Sequence, residues 1–197
     1  MMPMGIPEWN EQGVLPPIDA ANPTSPSRSP YVVRLSEVVA RFGRSSERQA
    51  ILEGFLRYRA ALQAVGLIQG FQWLDGSFLE DVEQLDGRPP NDIDVVTFFR
   101  LRPGESAASV AMLAPDLFPS GRADRLRFKQ QYHVDGYLEN LDARSEGLVA
   151  RSTYWYSMWS HRRSGAWKGY LQVDLSPAED ADARSVLVSY SATGARS

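Results

Sequence analysis

Two aspartates one residue apart, in Asn91-Asp92-Ile93-Asp94-Val95-Val96, have the types and spacing to do chemistry. Side chains alternate along a strand, so Asp92 and Asp94 point to one side and Ile93 to the other, with Cα atoms about 6.6 Å apart. That spacing lets both carboxylates converge on one cation or a pair of cations. Without metal, each charge raises the other's pKa; a divalent ion removes the conflict. Asp-x-Asp alone is a common pattern that also describes a turn cap beside an exposed strand start. The preceding Trp73-Leu74-Asp75-Gly76-Ser77 sharpens it. A strand that ends in Gly-Ser before a helical turn directs backbone N–H groups and a hydroxyl outward. Such a turn holds phosphate oxygens, and only glycine permits the close approach. A phosphate cradle at Gly76 and Ser77 with a carboxylate pair points to a nucleoside triphosphate and Mg2+ or Mn2+.

Cations that could clamp the β- and γ-phosphates are Arg125, Arg127, Lys129, Arg151, Arg162, Arg163 and Lys168. Lys168 stands first, because Trp167-Lys168-Gly169 sets a cation beside a glycine entering a strand. Each of the seven also reads as part of a solvated helix face. The aromatic cluster Tyr154, Trp155, Tyr156 and Trp159 reads as core before it reads as a base-stacking platform.

Elements must position these groups. Ser36 is read as the cap of a short helix, Glu37 to Phe42, ended by Gly43. Ser45 or Ser46 caps a longer helix, roughly 47–64, with the stripe Ile51, Phe55, Tyr58, Leu62 and Val65. Leu67 to Leu74 reads as a strand, Phe78 to Leu85 as a short helix or turn, and Ile93 to Phe99 as a strand buried on both faces. Helices are expected over Ser106 to Leu113, Ala123 to Tyr132 and Leu148 to Trp159. Strands are expected at His133 to Leu138, Gly169 to Leu175 and Val186 to Tyr190. This is an α/β (or α+β) fold, a small mixed sheet flanked by helices. Seven of the 13 prolines lie in residues 1–30, an irregular segment whose Ile6, Trp9, Val14, Leu15 and Ile18 are expected to pack partly on the core, with 22–30 as a linker. The domain proper is 31–191, followed by a disordered tail at 192–197.

Composition narrows the chemistry further. The chain has no cysteine, which excludes disulfides, thiolate metal sites and a thiol nucleophile. With only His133 and His161, a zinc site would need carboxylates as well. A net charge of -3 does not suit a general nucleic-acid coat, and no apolar run is long enough to span a membrane. Met1 to Pro7 lacks the features of a secretory signal, so a cytoplasmic location is expected. Phe71 to Phe99 holds seven acids and one base, whereas Arg122 to Lys168 holds nine bases and five acids. An acidic stretch followed by a basic one is what a metal–phosphate site needs.

The pattern strand, Gly76-Ser77, turn, Asp92-x-Asp94, strand resembles the DNA polymerase β-type nucleotidyltransferase superfamily. The resemblance implies a minimal nucleotidyltransferase fold and a third carboxylate on a later strand. Asp135 in His133-Val134-Asp135-Gly136 is the better match and Asp174 its competitor. The chain is also similar to an uncharacterised bacterial family of small nucleotidyltransferase-like proteins. That similarity rests on Pro7 to Asn10, Gly13 to Pro17, Leu35 to Phe42, Arg48, Trp73 to Phe78, Pro90 to Val95 and Lys168-Gly169. It implies Mg2+-dependent transfer of a nucleoside monophosphate from a triphosphate to a protein, tRNA or small-molecule hydroxyl. By analogy with other minimal members, the acceptor is a partner protein encoded nearby in a toxin–antitoxin or phage-defence setting. An inactive nucleotidyltransferase-fold binding module is the alternative; a metal-dependent nuclease fits the Gly-Ser turn less well. One departure stands out. Fourteen residues separate Ser77 from Asp92, and four of them, Glu80, Asp81, Glu83 and Asp86, are acids that would repel a triphosphate unless neutralised.

Overall fold

The computed structural model describes residues 5–194. Its strands are β1 (Tyr31–Val32), β2 (Gly70–Asp75), β3 (Ile93–Phe99), β4 (Val134–Asn140) and β5 (Leu171–Asp174). They form one mixed sheet in the order β1-β5-β2-β3-β4, with β1–β5 and β3–β4 parallel and the other pairs antiparallel. The helices are α1 (Leu35–Phe42), α2 (Ser46–Ala64), α3 (Val82–Asp86), α4 (Ala107–Leu113), α5 (Arg122–Tyr132), α6 (Ser145–Trp159) and α7 (Asp180–Gly194). The fold is thus a mixed sheet with helices, as expected. The parallel β3–β4 pair requires a crossover, which α4 and α5 supply.

Ser45 caps α2 through its hydroxyl, which accepts from the Arg48 N–H. Ile51, Phe55, Tyr58 and Leu62 turn into the core. Strand β3 is buried along almost its whole length. The two faces of the sheet differ. On one, Gln72 and Thr97 meet α2: Gln72 bonds to Arg59, and Tyr58 lies 3.3 Å from Thr97. On the other, Trp73, Phe98, Tyr137 and Tyr170 pack with one another and with Trp155 and Trp159 of α6. Half of the aromatic cluster is therefore core. Tyr154 and Tyr156 remain 49% and 45% exposed.

The proline-rich segment is fixed to the domain. Val14 and Leu15 are buried, Trp9 donates its indole N–H to the Leu79 carbonyl at 2.7 Å, and Gly169 N–H donates to the Leu15 carbonyl at 2.7 Å. The stretch 22–30 is also tied down. Ile18 bridges to Arg28, and Ser29 N–H donates to the Pro17 carbonyl.

Three expectations need correction. Helix α1 begins at Leu35 with Arg34 in the cap position, so Ser36 lies inside it. Val186 to Tyr190 is part of α7, not a strand. Valine-leucine-valine favours a strand locally, but Ala183 and Leu187 are buried four residues apart while Val188 is 67% exposed, which is a helical period. Asp180 and Asp182 in the first turn also suit the positive end of the helix dipole. The tail expected from Ala192 is helical to Gly194, and 195–197 lie outside the described residues.

Candidate active site

The site is built by strand register. Asp75 at the end of β2 pairs with Asp94 on β3, and Asp94 pairs with Asp135 on β4. Neighbouring strands lie about 4.8 Å apart, so three aspartates stand abreast on the face opposite α2. Asp92, two residues before Asp94, extends the row. Of the two candidates for a later carboxylate, the sheet brings Asp135 to the others. Asp174 pairs with Phe71 at the far end of β2, and its Oδ1 accepts from Ser176 N–H in a turn.

Lys129, on the last turn of α5, reaches into the row. Its Nζ lies 2.9 Å from Asp92 Oδ2 and 2.8 Å from Asp135 Oδ2. Partial burial opposes its charge, but the bonds to Asp135 and Asp92 prevail and hold its pKa above the ordinary lysine range. Asp94 is different. Its carboxylate forms no hydrogen bond or ion pair among the described residues. Burial, then the charges of Asp92 and Asp135, push its pKa up to about 6, against the pull of Lys129 and Lys168.

Gly76 follows Asp75 at φ +87°, a region open to glycine, and a Cβ there would sit 2.6 Å from Asp94 Oδ2. The turn is thus pressed directly against the unpaired carboxylate. Ser77 opens a single 3-10 turn, Ser77–Leu79, and its hydroxyl makes no hydrogen bond among the described residues.

Lys168 is not exposed to a phosphate. It is buried, 3.0 Å from Asp75 Oδ1 and 3.0 Å from Glu80 Oε1. Its approach to Asp75 is an ion pair without hydrogen-bond direction, which leaves Asp75 Oδ1 with no donor. Burial raises the Asp75 carboxyl to about 7, opposed by the Lys168 charge. Arg162 continues the network to Glu80 at 2.9 Å and to Asp86 at 3.7 Å. Asp75 is the neighbour of the site that the sequence left without a role; its position directly before Gly-Ser was the available signal. The other acids of the insert are also neutralised, Glu83 by Arg48, Asp81 by Arg44 and Asp86 by Arg88. The repulsion expected from the insert is therefore largely cancelled. Of the remaining cations, Arg127 pairs with Asp124, Arg163 is exposed, and Arg125 and Arg151 flank Tyr137 and Glu139 farther along β4.

Among the described residues, no three carboxylate or imidazole groups form a ready-made metal cluster. Lys129 stands between Asp92 and Asp135. The donor set still suits a hard divalent cation: oxygen ligands only, one of them half-buried and unpaired.

A family model described as a family of unknown function, DUF6932, matches residues 7–174. The chain belongs to that family. No curated protein and no solved structure matches it. The DUF6932 span begins in the segment that packs on the core and ends with β5, so it contains the whole aspartate row and the Gly76 turn and leaves out α7.

Proposed function

We propose that this DUF6932 chain is a metal-dependent nucleotidyltransferase that moves a nucleoside monophosphate from a nucleoside triphosphate to a hydroxyl and releases pyrophosphate. The observation that carries the reading is the unpaired Asp94 carboxylate, held between Asp92, Asp135 and the Gly76 turn. Asp92, Asp94 and Asp135 are the residues to hold Mg2+ or Mn2+. When bound, the cation would offset the triphosphate charge and polarise the α-phosphorus. Asp135 takes the acceptor hydroxyl proton as the oxygen attacks in line and the bond to the β-phosphate breaks. Gly76 and Ser77 orient the β- and γ-phosphates through main-chain N–H groups and the free hydroxyl. With a cation held by Asp92 and Asp135, the Lys129 ammonium would be free to turn to a phosphate oxygen. A protein, a tRNA end or a small molecule is the acceptor, and a cytoplasmic setting would supply the triphosphate and the cation.

One observation favours a second reading. Lys129 already bridges Asp92 and Asp135, so the fold can balance these acids without metal and act as a nucleotide-binding module. A single experiment separates the cases. Calorimetry with ATP, GTP, CTP and UTP, with and without Mg2+, is followed by a pyrophosphate-release assay on the same samples with candidate acceptors. The transferase reading expects Mg2+-dependent binding that Asp92→Ala with Asp94→Ala abolishes, together with pyrophosphate release. Binding without release supports the module, and binding unchanged by the double substitution rejects both.

A further inference from the structure

The face that carries the aspartate row continues along β4. Tyr137 and Glu139 follow Asp135 on the same side, at the two-residue period of a strand. They enter a groove of about 390 Å³ between β4, α6 and the segment after α4. Arg125 is exposed, and its guanidinium lies over the Tyr137 ring at 5.0 Å from the centroid. Tyr154, 49% exposed, meets Trp155 edge-on at 5.1 Å. Trp155 is buried and donates its indole N–H to Glu139 Oε1 at 2.9 Å. Glu139 Oε2 accepts no hydrogen bond among the described residues; Arg151 stands 3.8 Å away, beyond bonding distance, with its own side chain largely in solvent.

We infer that this groove seats the base of the donor nucleotide, and that it selects adenine or cytosine, the bases with an amino group at the shared N6/N4 position. The inference rests on the transferase or nucleotide-binding reading above. A ring stacked on Tyr154 or on the outer face of Arg125 gains the sequence-tolerant attraction of π-faces and guanidinium. Tyr137 is one strand repeat, about 6.6 Å, from Asp135, so a base in the groove belongs to a nucleotide whose phosphates lie at the row. The open Glu139 oxygen supplies the discrimination. It accepts from the N6 amino group of adenine or the N4 amino group of cytosine, whereas the O6 of guanine or the O4 of uracil in the same place sets two acceptors against each other. The two arginines offset the charge that Glu139 would otherwise present to the phosphates.

Tyr154 is half exposed, so removing its ring leaves the fold intact, and glutamine at 139 still accepts from Trp155. The test is calorimetry on the full chain in Mg2+ with inorganic tripolyphosphate and with non-hydrolysable analogues of ATP, GTP, CTP and UTP. The expected result is that the A and C analogues bind tighter than tripolyphosphate and about tenfold tighter than the G and U analogues. Tyr154→Ala then costs about tenfold for these nucleotides and nothing for tripolyphosphate. Glu139→Gln brings the U analogue level with the C analogue, since an amide can donate to O4. If tripolyphosphate binds but neither substitution changes nucleotide affinity, the groove assignment is overturned and the proposed function stands. If neither tripolyphosphate nor any nucleotide binds, both fall.

Discussion

Burial and two neighbouring charges keep the Asp94 carboxyl protonated to about pH 6, above its ordinary 3.8. The folded protein therefore binds that proton more tightly than the unfolded chain does. Stability from this group is fully present below about pH 4 and is lost as pH rises through about 6. In metal-free buffer, Asp94→Asn should be more stable than the unsubstituted protein at pH 8, by about 3 kcal/mol, with the difference gone near pH 4. Thermal melts across that range check it; an advantage of Asp94→Asn that grows toward low pH would contradict burial and like charge as the cause. The shared side of Asp92 and Asp94 was legible because residue type and the period of two travel in the sequence, whereas Asp135 came from the family resemblance with Asp174 as its competitor. The role of Lys168 was not. A sequence shows a cation beside a glycine, but not that Glu80, 88 positions away, closes on it. Nor does it show that Lys129, expected on a phosphate, spans Asp92 and Asp135.

Elements decide whether those residues meet. The hairpin of β2 and β3 puts the Gly76 turn against Asp94 with no room for a Cβ. Gly76→Ala should destabilise by about 1–3 kcal/mol, from the glycine-only backbone and the clash with Oδ2 together. Asp94→Ala removes the clash but not the backbone strain. A double-substitution cycle in denaturant should then give a coupling of at least about 0.5 kcal/mol, and strict additivity would show that the two do not press on each other. Helix periods were read well where one face is buried, as in α2 with Ile51, Phe55, Tyr58 and Leu62. They were misread in α7. There three β-favouring residues, Val186 to Val188, outweighed the spacing of Ala183 and Leu187, and only packing against α1 and α2 makes that spacing decisive.

The whole molecule depends on a contact outside the family span. Arg59, fully buried on α2, donates to Asp180 Oδ1 at 2.9 and 2.7 Å, to Gln72 at 2.6 Å, and to the carbonyls of Asp174 and Ser176. One guanidinium thus joins α2, β2, the end of β5 and α7. Arg59→Met would leave the Asp180 carboxylate and Gln72 short of a donor, at a cost of about 3–5 kcal/mol in chemical denaturation. A loss under about 1 kcal/mol would mean that α7 is held by its apolar face alone.

The row of aspartates has a further consequence. Its alignment is written in the backbone ladder rather than in the acids. A one-residue slip of β4 against β3 would turn Asp135 toward α2 and bring Gly136 to the face of the aspartate row. Change at this site is therefore quantised. The link between Ser77 and Asp92, fourteen residues long, can lengthen without moving the row. A single inserted residue at the start of β4 switches the third carboxylate off outright, with every acid still present in the chain.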